Sequence, residues 1–135
     1  MIVDTSAVLA MLVEPDPEPY FAAVRDAARS TMSAVNVYET RVVLTGLHLG
    51  RPRFPPDAVL RFMEWLRVNG VEVVPFDIDQ AVLAHQAYLR FGKGFHPAAL
   101  NLVDCVACAL ATSRGEPLLF KGDDFTRTDV ASALA

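Results

Sequence analysis

Met1-Ile2-Val3-Asp4-Thr5-Ser6-Ala7 opens the chain and sets its fold class. Two apolar residues, Ile2 and Val3, stop abruptly at three polar ones, and from Ala7 to Val13 the composition is helical. The stretch therefore reads as strand, polar turn, helix. A carboxylate, Asp4, falls at the C-terminal end of a strand, and in open parallel sheets ligand sites form in the crevice outside such strand ends.

The alternation continues outward. Pro15, Pro17 and Pro19 break the chain, and Pro19 is tolerated near the start of a second helix running to about Arg29. Thr31-Met32-Ser33 is a brief strand. Ser33 can cap a third helix in which Val35, Tyr38, Val42 and Val43 recur at helical spacing up to Gly46 or Gly50, with Glu39 in its second turn. A loop rich in proline, Pro52, Pro55 and Pro56, precedes the apolar stripe Val59, Phe62, Met63 and Leu66, which Asn69-Gly70 ends.

Val71 to Pro75 is short and β-branched, as expected of a buried parallel strand, and Asp77 to Phe91 is helical again. After the basic loop Gly92 to Pro97, Asn101 can cap a helix from Leu102 to Arg114 that is apolar almost all round and so belongs near the centre of the fold. Gly115 closes it, Pro117 to Phe120 is a last buried strand, Lys121 to Phe125 is a turn, and Thr128 to Val130 is expected as an edge strand. The sum is a single domain over residues 1–135, a three-layer α/β/α fold with a mostly parallel sheet of four to five strands.

Composition narrows the function. The 135 residues are 53% apolar and 21% charged, which is globular rather than disordered, and a formal net charge of −4 argues against a surface that binds nucleic acid through general basicity. It does not exclude nucleic acid as substrate, because a nuclease carries its acidity in its site and holds phosphates with a few local cations; Arg90, Lys93, His96 and Lys121 are the candidates here. No leader-like segment precedes Ile2, and the apolar runs are too short to span a membrane, so a cytoplasmic protein is expected. Cys105 and Cys108 have CxxC spacing but lack further zinc ligands, and they read as buried small residues. Phosphate-binding P-loop, dinucleotide and hydrolase-elbow motifs are absent from the sequence.

Asp4, Glu39, Asp104 and the pair Asp123-Asp124 all fall at strand ends or in early helical turns. Each has a plain reading alone: Asp4 as a helix cap, Glu39 as a solvated helix residue, Asp104 in a capping arrangement with Asn101, and Asp123-Asp124 as turn chemistry. Asp104 strains that reading, since it interrupts an apolar helix, and an unpaired buried carboxylate costs several kcal/mol. A shared hard cation, Mg²⁺ or Mn²⁺, would neutralise the group and suits phosphodiester hydrolysis by an activated water.

Four blocks carry a specific resemblance: residues 1–7, Ser33 to Glu39, Asn101 to Ala111, and Leu118 to Asp129. In this order and across nearly the whole length they resemble the motif blocks of the VapC toxins, which are PIN-domain ribonucleases. The resemblance implies an RNase with Mg²⁺ or Mn²⁺ held by acidic residues and a structured RNA, tRNA or rRNA, as substrate. By position Asp4, Glu39 and Asp104 match the acidic residues, Asp124 or Asp123 the fourth, and Ser6 the hydroxyl residue that supports the first. It also implies a homodimer and a VapB-like antitoxin partner. The rival is a catalytically silent binding module on the same fold.

Overall fold

The computed structural model describes residues 1–48 and 50–134. β1 (Ile2–Val3) runs directly into α1 (Thr5–Val13), α2 (Glu18–Asp26) returns, and β2 (Thr31–Ser33) leads into α3 (Ala34–Thr45). A small antiparallel hairpin, β3 (Leu47–His48) and β4 (Arg51–Pro52), precedes α4 (Ala58–Val68), β5 (Glu72–Val74), α5 (Ile78–Phe91), α6 (Leu102–Arg114) and β6 (Leu118–Leu119). A single 3-10 turn, Asp124–Arg127, follows.

The main sheet is parallel throughout, in the order β5-β2-β1-β6. Its central strands show why a two-residue apolar run suffices. Side chains alternate between faces, so Ile2 and Leu118 enter one apolar layer with Phe91, Leu100 and the buried face of α6. Val3, Met32 and Leu119 enter the other with Ala7, Met11, Phe62 and Leu66. All five strand residues are fully buried. Truncating one of them to Ala should cost about 2–5 kcal/mol, and the result is the three-layer α/β/α arrangement expected from the order of elements.

Local signals place most element ends. Asp4 caps α1, Ser33 Oγ accepts Val35 N–H at 3.3 Å at the start of α3, and Asp77 Oδ1 accepts Gln80 N–H at 2.9 Å at the start of α5. Gly115, at φ 60°, closes α6 in the left-handed conformation that a residue with a Cβ adopts at a cost.

The structure corrects several expectations. α1 begins two residues earlier than Ala7, directly after its cap Asp4, and α2 ends at Asp26 instead of near Arg29. β5 is parallel but lies at the sheet edge, where Glu72 and Val73 are exposed, so it is not a buried strand. Met63 is at the rim of the α4 stripe, 37% exposed, while Phe62 and Leu66 are buried. The β3-β4 hairpin lies between α3 and the proline-rich loop and ends on its first proline, Pro52.

No strand forms at Thr128 to Val130. There the Thr128 hydroxyl donates to Phe125 C=O at 2.7 Å and finishes the 3-10 turn. The pairing slips onward, with Leu118 N–H donating to Ala131 C=O at 2.8 Å and Ala133 N–H to Leu118 C=O at 2.9 Å, an isolated bridge in place of a fifth strand. Among the described residues no helix is long and apolar enough to cross a membrane.

Candidate active site

Parallel order fixes where the site forms. β1, β2 and β6 end on the same side, and the sequence continues there into Asp4, into the N-terminal half of α3, and into Lys121-Gly122-Asp123-Asp124. The start of α6 completes the rim with Asp104.

Asp4 is buried at 3% exposure, and its oxygens are held from two elements. Oδ2 accepts Ser6 N–H at 2.8 Å and Ser6 Oγ–H at 2.6 Å. Ser6 Oγ in turn accepts Lys121 N–H at 3.0 Å, which ties the first helical turn to the end of β6. Oδ1 accepts the Asn36 amide at 3.2 Å. Burial pushes the Asp4 carboxyl above the usual carboxylate range, opposed by the Ser6 and Thr5 hydrogen bonds and reinforced by the charge of Asp124.

Glu39 lies one turn beyond Asn36 on α3 and is half-buried. Its carboxyl is raised by burial and by the Asp4 charge, against a lowering by the Thr5 hydroxyl. Asp104 completes a capping box: Asn101 Oδ1 accepts the N–H groups of Val103 and Asp104, and Asp104 Oδ2 accepts Asn101 N–H at 2.8 Å. The capping reading of Asp104 is thus real, and it does not exhaust the residue. Its carboxyl is pushed up to about 6, first by burial and then by the charges of Asp4, Glu39 and Asp124.

Asp124, not Asp123, is the neighbour whose charge reaches both Asp4 and Asp104. Gly122 at φ 100° turns the chain after β6, and Asp123 becomes the residue before the 3-10 turn, its carbonyl accepting Thr126 N–H at 3.1 Å.

Four carboxylates therefore share one electrostatic neighbourhood, and among the described residues none of them forms an ion pair with Lys or Arg. Nor do any three acidic, His or Cys side chains among the described residues already stand as a closed ligand set. Asp4 is buried, Glu39 and Asp104 are half-buried and Asp124 is exposed, so the first three feel their like charges most, and Mg²⁺ needs only one or two carboxylates, completing its shell with water and phosphate oxygens. The donors are all oxygen, which fits a hard cation. The thiols do not compete: Cys105 and Cys108 are buried, and burial pushes them up to about 12 and about 11.

The basic candidates are placed less simply. Arg90 pairs with Asp129 at 2.7 Å and lies over the Phe91 ring at 4.6 Å. His96 Nδ1 accepts Ala98 N–H at 3.1 Å, with its ring edge-on to Phe91. Lys93 is exposed on the same loop, which Arg127 ties to the Asp124 turn by donating to Pro97 C=O at 3.4 Å. Lys121 reaches away along α1 to pair with Glu14.

Asn36, Thr5 and Thr40 enter the site without having been singled out as site residues in the sequence. Thr40 Oγ donates to Asn36 C=O at 2.8 Å, Thr5 Oγ to the same carbonyl at 3.3 Å, and all three side chains are buried. The signal was the one that exposed Asp104: a lone amide flanked by Val35 and Val37, one turn before an acidic residue.

Comparison with known proteins identifies the family. The PIN domain family matches residues 1–131. The chain is 44% identical over 133 residues to "Ribonuclease VapC" of Mycolicibacterium smegmatis, covering 98% of both chains, and 41% identical over 133 residues to "Ribonuclease VapC30" of Mycobacterium tuberculosis, covering 98% of this chain and 97% of the other. Among solved structures it shares the fold of Mycobacterium tuberculosis VapC20, a toxin that cleaves the sarcin-ricin loop, at TM-score 0.75 and 17% identity over 96% of this chain and 95% of that one. The toxin in the DNA-bound VapBC complex of Salmonella typhimurium matches at TM-score 0.70 and 17% identity over 97% and 93% of the two chains. The family match over residues 1–131 and relatives at 41% and 44% identity over nearly the full length show that the chain belongs to the PIN-domain family and, within it, to the VapC ribonucleases.

Proposed function

We propose that this protein is the toxin of a toxin–antitoxin pair, an endoribonuclease that hydrolyses phosphodiester bonds in structured RNA, tRNA or rRNA, with Mg²⁺ or Mn²⁺ held by Asp4, Glu39, Asp104 and Asp124. The observation that carries the reading is the charge imbalance of the crevice. Asp104 is lifted to about 6 by burial and by three neighbouring carboxylates, and among the described residues no protein cation offsets the four.

When bound, the cation supplies Lewis acidity toward the phosphate and toward water. The protein supplies position. Ser6 and Asn36 hold Asp4 in one orientation and the capping box commits Asp104 Oδ2, and the lone pairs these bonds leave on Asp4 and Asp104, with the oxygens of Glu39 and Asp124, would hold the cation and orient water by accepting its hydrogens. Arg90 in the last turn of α5, Lys93 and His96 on the loop that follows, which Arg127 ties to the Asp124 turn, and Lys121 are the proposed phosphate contacts. The partner is a VapB-like antitoxin, and the protein works as a homodimer; relatives of the same fold were solved as toxin–antitoxin complexes.

Purified parent protein, Asp4→Asn and Asp104→Asn should be incubated with total tRNA and with rRNA in Mg²⁺, in Mn²⁺ and in chelator. Cleavage by the parent in either cation only, and by neither variant, is expected. Parent-rate cleavage by Asp4→Asn, or full activity in chelator, overturns the reading.

A further inference from the structure

Asn36 is completely buried, its amide donates to Asp4 Oδ1 at 3.2 Å, and its own Oδ1 has no partner among the described residues. A buried amide with an unsatisfied oxygen is costly. The opposite orientation would aim that oxygen at a carboxylate and lose the donor to Asp4, so the amide is committed to Asp4 at the expense of its own acceptor.

Its backbone is equally constrained. Thr5 and Thr40 both donate to Asn36 C=O, and Thr40 Oγ also lies 3.4 Å from Thr5 Oγ, so α3 is clamped to the first turn of α1 at this point. Glu39 follows one turn later on the same helix. The residue that orients Asp4 thus also sets where Glu39 stands relative to it.

Resting on the proposed metal site, we infer that Asn36 is a positioning residue: by donating to Oδ1, opposite the Ser6 bonds to Oδ2, it fixes the plane of the Asp4 carboxylate and the Asp4–Glu39 spacing for a divalent cation. Partners that orient carboxylate ligands typically change metal affinity or activity by about 10- to 100-fold when removed.

The test is Mn²⁺ binding by calorimetry together with thermal melting, on the parent, Asn36→Leu, Asn36→Asp and Asp4→Asn, all as full-length protein without RNA. Leu keeps the branching at Cγ with somewhat larger methyl groups and Asp keeps the shape, but Leu cannot donate at all and an ionised Asp cannot donate to Asp4. Both folded variants are expected to bind Mn²⁺ at least about tenfold more weakly than the parent, and the melting curve reports whether each variant is folded at the temperature of the titration. Parent-like Mn²⁺ affinity in folded Asn36→Leu overturns the inference; if that variant fails to fold, parent-like affinity in Asn36→Asp does the same. Asp4→Asn separates the two levels, because unchanged binding there overturns the metal site itself, whereas loss there with parent-like Asn36 variants overturns only the role of Asn36.

Discussion

Asp104 Oδ2 accepts the backbone N–H of Asn101 at 2.8 Å. One oxygen of this carboxylate thus secures the start of α6 while the group as a whole is repelled by Asp4, Glu39 and Asp124. Structural and functional readings of Asp104 coexist because a carboxylate has two oxygens.

Asp104→Asn retains an acceptor for Asn101 N–H and removes the repelled charge. Without metal at pH 7.5 the variant should be more stable than the parent by on the order of 1 kcal/mol, or roughly 3 °C in Tm, yet lose RNA cleavage. Melting curves and a cleavage assay on one preparation check both. A large fall in Tm would mean that the cap outweighs the repulsion.

The raised carboxyls make stability depend on pH in an unusual direction. A group whose folded pKa lies above its unfolded value stabilises the fold fully below the unfolded value, and that stability is lost as pH rises through the folded pKa. For Asp104 the window runs from its ordinary 3.8 to about 6. In chelator, Tm should therefore fall between pH 4 and 6 from this contribution and level off above it, and saturating Mn²⁺ at pH 7.5 should raise it. Asp104→Asn should flatten the slope; an identical slope in parent and variant speaks against the assignment.

Asp123 and Asp124 should separate cleanly. Only Asp124 reaches Asp4 and Asp104 electrostatically. Asp124→Asn is expected to lower kcat by at least about tenfold, and Asp123→Asn to leave it near the parent value. Equal losses in steady-state cleavage would contradict the geometry.

Ser6 bridges Asp4 Oδ2 and Lys121 N–H. Ser6→Ala should reduce cleavage about 10- to 100-fold, with Ser6→Thr restoring most of it. Failure of Thr to rescue would show that the hydroxyl is not what matters at this position.

Cys105 and Cys108, held up to about 12 and about 11 by burial, should resist alkylation at pH 8 in the folded protein and react in denaturant. Rapid labelling by iodoacetamide under native conditions would revive a reactive-thiol role.

The sequence by itself determined the features that depend on residues three or four apart. The strand-turn-helix opening, the Ser33 and Asn101 caps, the αL stop at Gly115 and the apolar face of α6 were all legible, since capping and periodicity are local physics. Asp4 and Asp104 were visible as acidic residues at the starts of helices, and Glu39 as one in the second turn of α3. The tertiary structure decided what depends on neighbours distant in the chain. It set β5 at the edge, because only β2 pairs with it, and replaced the strand at Thr128 to Val130 with a bridge further on. After the turn at Gly122 it set the charge of Asp124, not that of Asp123, against Asp4 and Asp104, and it brought Asn36 of α3 onto Asp4 at the end of β1. A buried amide declares itself in sequence only as a polar residue among apolar ones; which carboxylate it holds is fixed by how two helices pack.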